Sequence, residues 1–161
     1  SILNNHSVIR NFCSRIKDAT DVFYLGRGGD TPLAMEGALK LKEISYIHAE
    51  AYPSGELKHG PIALIEKDTP VTFLSTQTTL QQKTESNVRE VISRGAYTFG
   101  IIKDGFKADF CDDYYKIPAT NDLFSPLLTA LPMQLIAYYT ASIKGIDLDK
   151  PRNLAKSVTV E

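Results

Sequence analysis

The chain has 161 residues, 43% hydrophobic and 23% charged, enough for one domain with a real core and too short for two comfortable ones. Its 18 basic and 19 acidic residues leave a formal charge of −1, so no basic surplus exists to grip a phosphate backbone and no nucleic-acid partner is expected. No apolar run approaches the ~20 residues that cross a membrane, and Ser1–Ile9 lacks a signal-peptide pattern.

The elements alternate along the chain. An amphipathic opening (Ile2, Val8, Ile9, Phe12, Ile16) precedes a short strand, Val22 to Leu25, bounded by Gly26. A helix is expected from about Pro32 to Tyr46, a strand at Val71 to Leu74, and a helix from Leu80 to Ser93. Strands at Tyr97 to Ile102 and Tyr114 to Ile117 follow, and then a long apolar helix from Leu127 to Ile143. Short apolar strands separated by helices predict a parallel sheet covered on both faces, a three-layer α/β domain. The tail from Lys150 to Glu161 lacks periodicity and reads as frayed and solvated.

Cys13 and Cys111 are far apart and form no CxxC pair, which reads as two reduced thiols of a cytosolic protein. His6, His48 and His59 have no metal-ligand spacing, so neither a metal nor another cofactor is expected.

The first loop, Leu25 to Pro32, joins a strand to a helix. It fails as a dinucleotide fingerprint because Thr31 stands where the third glycine belongs. Thr31 as N-cap with Pro32 at the first helical position would leave free N–H groups at the carboxyl end of a strand, where ligand loops sit. A merely tight turn fits equally well. On the helix that follows, Glu36, Lys40 and Glu43 fall within a stripe about 60° wide at ~100° per residue, while most of the remaining circumference is apolar or small. A helix this apolar is normally buried, so the stripe reads as the wall of a polar cleft, and an acid–base–acid ladder suits proton transfer. A surface ion pair, worth ~0.2–0.5 kcal/mol, is the plainer alternative.

Ala51 to Pro61 is punctuated by Pro53, Gly55, Gly60 and Pro61 and reads as a loop with about one helical turn. His59 sits on it before Gly60-Pro61, and its residue type alone does not separate a solvated from a catalytic role. In the tail, Lys156 as a nucleophile faces an unperturbed pKa of ~10.4, which leaves about one neutral amine in two or three thousand at pH 7. Desolvation or a neighbouring cation such as Arg152 would have to lower it.

Taken together, these segments resemble glucosamine-6-phosphate synthases. The run from Leu25 to Ile65, with its core Met35 to Ala51 continued by Glu56-Leu57-Lys58-His59-Gly60-Pro61, is similar to that family nearly residue for residue, and Pro151 to Glu161 matches its carboxyl terminus. The resemblance implies a sugar-isomerase (SIS) fold, a flavodoxin-like parallel sheet between helices, corresponding over residues 1–161 to the second SIS lobe of the isomerase region. It implies that Glu43 moves a proton between C1 and C2 of an open-chain sugar, with Lys40 stabilising the developing enediol-type oxygen. His59 resembles the ring-opening residue, contributed across a homodimer to the neighbouring subunit. Lys156 resembles the tail lysine that engages the ketose, with Ala155 in backbone contact and Glu36 and Arg27 as supporting charges. The implied ligands are fructose 6-phosphate and glucosamine 6-phosphate.

The same comparison leaves the glutaminase domain and the first SIS lobe, with its phosphate-holding Ser-Gln-Ser-Gly loop, outside this chain. Leu74 to Thr79 is polar and follows a strand but lacks that glycine. The chain is therefore expected to be a fragment that is inactive alone. A SIS deglycase acting on fructosamine phosphates is one rival, against which the tail argues. A non-catalytic phosphosugar-sensing SIS module is another, and it has no need of Glu43, His59 and Lys156 together.

Overall fold

Three stretches of the chain, Asp21–Gly26 (β1), Pro70–Ser75 (β3) and Tyr97–Lys103 (β4), are buried along nearly their whole length, as strands covered on both faces must be. The computed structural model describes residues 6–152. Two further strands, β2 (His48–Pro53) and β5 (Asp113–Ile117), complete a five-stranded sheet in the order β2-β1-β3-β4-β5. Every pairing is parallel. The order reverses between β1 and β3, as in flavodoxin-like sheets.

Alternate residues of β1 point to opposite layers. Val22 and Tyr24 join a core with α1 (His6–Ile16), α2 (Asp30–Ser45) and α4 (Ser125–Ile143). Phe23 and Leu25 join a second core with α3 (Gln81–Ile92) and with Leu57 and Ile65 of the β2–β3 crossover. The expected three-layer αβα architecture is thus the observed one.

One strand was not expected. β2 lies at the sheet edge, where Ala49 is its one fully buried residue. His48, Glu50 and Tyr52 alternate with two alanines, and alanine is a weak strand former, so the period-2 pattern carries little propensity to announce it. The loop that follows holds two 3-10 turns, Leu57–His59 and Pro61–Leu64, rather than one. α2 begins at Asp30, two residues before the expected start, and Gly29 rather than Thr31 is its N-cap. The cause is tertiary. The Asp30 carboxylate is buried and accepts the backbone N–H of Thr76 at 2.9 Å and the Thr76 hydroxyl, which ties the first turn of α2 to the loop after β3.

α2 is pressed against its neighbours at Gly37. A Cβ there would lie 2.8 Å from the sulfur of Met133 on α4 and 3.1 Å from the ring of Tyr24 on β1. Cys13 and Cys111 are free, and burial pushes their thiols up to about 11 and about 12, so neither is a ready thiolate at neutral pH. Among the described residues no helix is long and apolar enough to cross a membrane.

At the carboxyl end of β4, the buried Lys103 donates to Asp122 and, at 2.9 Å, to the Thr78 hydroxyl. Asp122 also accepts the Thr78 N–H at 2.8 Å. The Lys103 hydrogen bond holds the Asp122 carboxyl below its ordinary value. A carboxyl whose folded-state pKa is depressed stabilises the fold above the ordinary carboxylate range and loses that contribution as pH falls through its folded pKa. Asp122→Asn is therefore expected to destabilise the domain by up to about 3 kcal/mol at pH 7, by leaving a buried ammonium without its counter-charge. Urea unfolding followed from pH 7 downward should show the full deficit at pH 7 and its progressive loss as pH falls below the ordinary carboxylate range; an unchanged deficit throughout would contradict this assignment.

Candidate functional site

The charged stripe exists as the helical period demands. Lys40 on α2 lies between two carboxylates, its Nζ 2.7 Å from Glu43 Oε2 and 3.6 Å from Glu36 Oε1. The hydrogen bond to Glu43 raises the Lys40 pKa, so the amine stays charged and is unsuited to act as a base. All three side chains are partly open to solvent, with 47%, 34% and 29% of the Glu36, Lys40 and Glu43 side chains exposed. They are neither sealed in the core nor freely solvated.

The rest of α2 is less buried than its apolar character suggested. Met35 and Leu39 are 59% and 43% exposed. With Pro32 and Lys42 they form one wall of a groove whose other wall is Ala51 and Tyr52 of the edge strand. Of the stripe, Glu36 also lines this open, partly apolar groove. Tyr52 donates to Glu50, which raises the phenol pKa to about 12 and keeps it neutral.

Arg27 does not join the stripe. Its Nη1 donates to Asn87 Oδ1 of α3 at 2.9 Å, and the same oxygen accepts the Ser54 hydroxyl at 3.1 Å. The guanidinium also lies where a side chain on Gly55 would be, 2.8 Å from its Cβ position. Arg27 thus braces the root of the loop that carries His59, on the sheet face opposite α2. Asn87 and Ser54, which complete this brace, were not apparent in the sequence, because nothing local marks a residue of α3 as the partner of a β1 loop.

His59 is on that loop, 63% exposed, with Glu56 Oε2 4.0 Å away as its nearest carboxylate. Leu57 and Ile62 hold the segment to the α3-side core. No hydrogen bond or ion pair joins His59 to Glu43 within the chain. The loop after β1 proves to be a tight turn: the N–H groups of Asp30 and Thr31 are taken by Arg27 O and Gly28 O, and a Cβ on Gly29 would lie 3.1 Å from the Gln77 amide oxygen. His48 lies away from these groups, its Nδ1 2.6 Å from Asp21 Oδ1 at the amino end of the strands. Among the described residues no three His, Cys, Asp or Glu side chains are grouped to hold a metal. Ala155 and Lys156 lie outside the described residues.

Known proteins resemble this chain closely but only in part. The glutamine–fructose-6-phosphate aminotransferase (isomerizing) of Clostridium perfringens is 54% identical over 164 aligned residues, which take in 99% of this chain and 27% of that protein. The chain therefore spans about a quarter of the length of that curated relative. Among solved structures, the C-terminal domain of glucosamine-fructose-6-phosphate aminotransferase from Francisella tularensis superposes with a TM-score of 0.86 at 40% identity, over 92% of this chain and 43% of that one. A glucosamine-6-phosphate deaminase from Thermotoga maritima superposes with a TM-score of 0.76 at 28% identity, over 95% of this chain and 45% of that one. Residues 15–144 match the SIS domain family, and with its parallel sheet in flavodoxin-like order the chain belongs to that family.

Proposed function

We propose that this chain is the second SIS lobe of a cytoplasmic, isomerizing glutamine–fructose-6-phosphate aminotransferase, which makes glucosamine 6-phosphate from fructose 6-phosphate and glutamine-derived ammonia at the start of amino-sugar synthesis. The observation that carries the reading is the Glu36–Lys40–Glu43 ladder, whose Glu36 also lines an open groove, in a chain 54% identical to a protein of that name. In this reading Glu43 takes the proton from C1 of the open-chain sugar and returns it at C2. Lys40, held charged by its two neighbours, stabilises the oxygen on which negative charge develops. Glu36 keeps Lys40 in place when Glu43 turns to the substrate.

The site is incomplete in one chain. Glu43 and His59 are carried by segments that cover opposite faces of the sheet, which suits a His59 delivered to the neighbouring subunit of a homodimer. Met35 and Leu39 present the kind of apolar surface that a second subunit or the first SIS lobe would cover. The phosphate grip and the ammonia source are assigned to that first lobe and to a glutaminase domain of the same polypeptide. Arg27 serves the substrate at one remove, by bracing the His59 loop.

In the full-length protein, Glu43→Gln should lower kcat for glucosamine 6-phosphate formation by about 10²–10⁴-fold while fructose 6-phosphate still binds; retention of wild-type turnover would sink the assignment, and intact binding with no isomerisation in the unmodified protein would favour a sensor. Mixing full-length Glu43→Gln and His59→Asn subunits should restore about a quarter of wild-type activity through statistical heterodimers holding one intact site. No recovery after verified subunit exchange would place His59 within its own subunit. The chain of 161 residues by itself, given ammonia and fructose 6-phosphate, should produce no glucosamine 6-phosphate above background. Turnover at a rate approaching the full-length protein would refute the incomplete-site reading.

A further inference from the structure

α4 runs for 19 residues without a charged side chain, and none stands anywhere between Asp122 and Lys144. A helix apolar all round is normally buried on every side. One side of α4 is: Met133, Ile136 and Ala137 belong to the core beneath it. The other side is open. Phe124, Leu127, Leu131, Gln134 and Tyr138 recur at alternating steps of three and four residues, so at ~100° per residue they fall within about 80° of one another, opposite the buried face. Leu127 is 75% exposed, and Phe124 and Tyr138 are exposed as well. This three–four spacing is the one by which helices pack side by side. The opposite layer shows what a solvated helix of this fold carries instead, since the 12 residues of α3 include Lys83, Glu85, Arg89 and Glu90.

Of the eight large apolar side chains exposed among the described residues, six stand on this one layer: Met35 and Leu39 on α2, and Leu123, Phe124, Leu127 and Tyr138 at α4. An apolar surface so concentrated marks a contact. Lipid does not suit it. No described helix is long and apolar enough to cross a membrane, and α4 lacks the basic face of a helix that lies on one. A protein surface does suit it, and chain length points to which. This chain matches 43% of the Francisella tularensis domain and 45% of the Thermotoga maritima deaminase, so each carries more than half of its length outside the match, room for a further domain of this size. A domain on the same polypeptide would meet α4 at the roughly millimolar effective concentration of a short tether. We propose that the outer face of α4 docks the first SIS lobe of the same polypeptide, an apolar surface of that lobe lying along the seam of Phe124, Leu127, Leu131 and Tyr138. The inference rests on the reading above that this chain is the second of two lobes, and it adds where the two join. α2 and α4 are neighbours, pressed together at Gly37 and Met133, so the join falls on the layer that carries Lys40 and Glu43.

The test uses Leu127→Cys, Leu127→Glu and Leu127→Met in the full-length protein. The thiol introduced by Leu127→Cys should react with a maleimide about a hundredfold more slowly in the native protein than in urea, read by the mass of the labelled peptide. That protection should persist on dilution to concentrations at which subunits separate. Leu127→Glu should speed tryptic cleavage between the lobes by about tenfold and lower kcat/KM for fructose 6-phosphate by a similar factor, with the number of subunits in sedimentation unchanged. Leu127→Met should match wild type on every readout. A thiol that reacts as fast in the native protein as in urea would overturn the proposal, and this holds even where Leu127→Glu fails to fold. Protection lost on dilution, or a Leu127→Glu protein that falls to monomers with its lobes still joined, would overturn it too and assign the seam to a second copy of the chain. An unmodified protein that forms no glucosamine 6-phosphate would instead remove the activity reading, while labelling at position 127 still reports whether the face is covered.

Discussion

Gly37 is where α2 comes against both α4 and β1, and the absence of a side chain there sets how the helix is turned about its axis. A Cβ at this position would meet the Met133 sulfur at 2.8 Å and the Tyr24 ring at 3.1 Å, so the helix can approach this closely on one side only. Ala34, Ala38, Leu41 and Ser45 occupy the rest of the buried face. With those residues turned inward, a rotation of ~100° per residue leaves Glu36, Lys40 and Glu43 on the side turned away from the core, and Met35 and Leu39 on the flank toward the edge strand. A core-packing constraint thus chooses which chemistry the helix displays.

The carboxyl end of the sheet, where open α/β domains usually bind ligands, is occupied by the protein itself. Asp30 reaches across the β1–β3 switch point to Thr76, and Lys103, Asp122 and Thr78 close the region beyond β4. Burial raises the Asp30 pKa against the hydrogen bonds from Thr76 that oppose the shift, so this carboxyl is adapted to a structural post rather than to meeting solvent or ligand. The two surfaces that the proposed site needs, the flank of α2 and the His59 loop, stand apart from these anchored loops. Those two surfaces lie on different faces of the sheet. A site that needs both must be assembled from more than one lobe, which is the physical sense of the incomplete site proposed above.

The α2 stripe was legible because it is a local pattern: three charges at helical spacing in an apolar helix can lie only on one face. The central strands were legible for the same reason, being short, apolar and flanked by turn residues. β2 was not, since an edge strand needs to bury only one side and its alanines carry little β signal. The start of α2 was misplaced because its first turn is held by Thr76, 46 residues away, in preference to a local cap. Arg27 illustrates the limit most clearly. The resemblance implied a supporting charge in the cleft of Glu36, while its observed partners Asn87 and Ser54 are on segments whose proximity only the fold decides. The contact of Tyr46 with Arg152, whose backbone N–H the Tyr46 hydroxyl accepts at 2.7 Å, is of the same long-range kind.

The ladder on α2 carries a constraint on how the proposed site would work. In the open lobe the Lys40–Glu43 pair is roughly a third exposed, and water screens it, so exchanging one partner for a substrate oxygen is inexpensive. Once a second lobe or subunit covers the groove, the same charges interact in a lower dielectric, where two unit charges ~4 Å apart gain about 4 kcal/mol rather than the ~1 kcal/mol they gain in bulk water. A base locked to its lysine at that strength would be a poor base. Glu36 answers the difficulty: at 3.6 Å it retains hold of Lys40 while Glu43 releases it, so the lysine never becomes an unpaired buried charge. In the proposed site the order acid–base–acid would then be more than a helical ion-pair motif: the first acid would keep the lysine charged and placed, the lysine would meet the developing oxyanion, and the second acid would be left free to carry the proton.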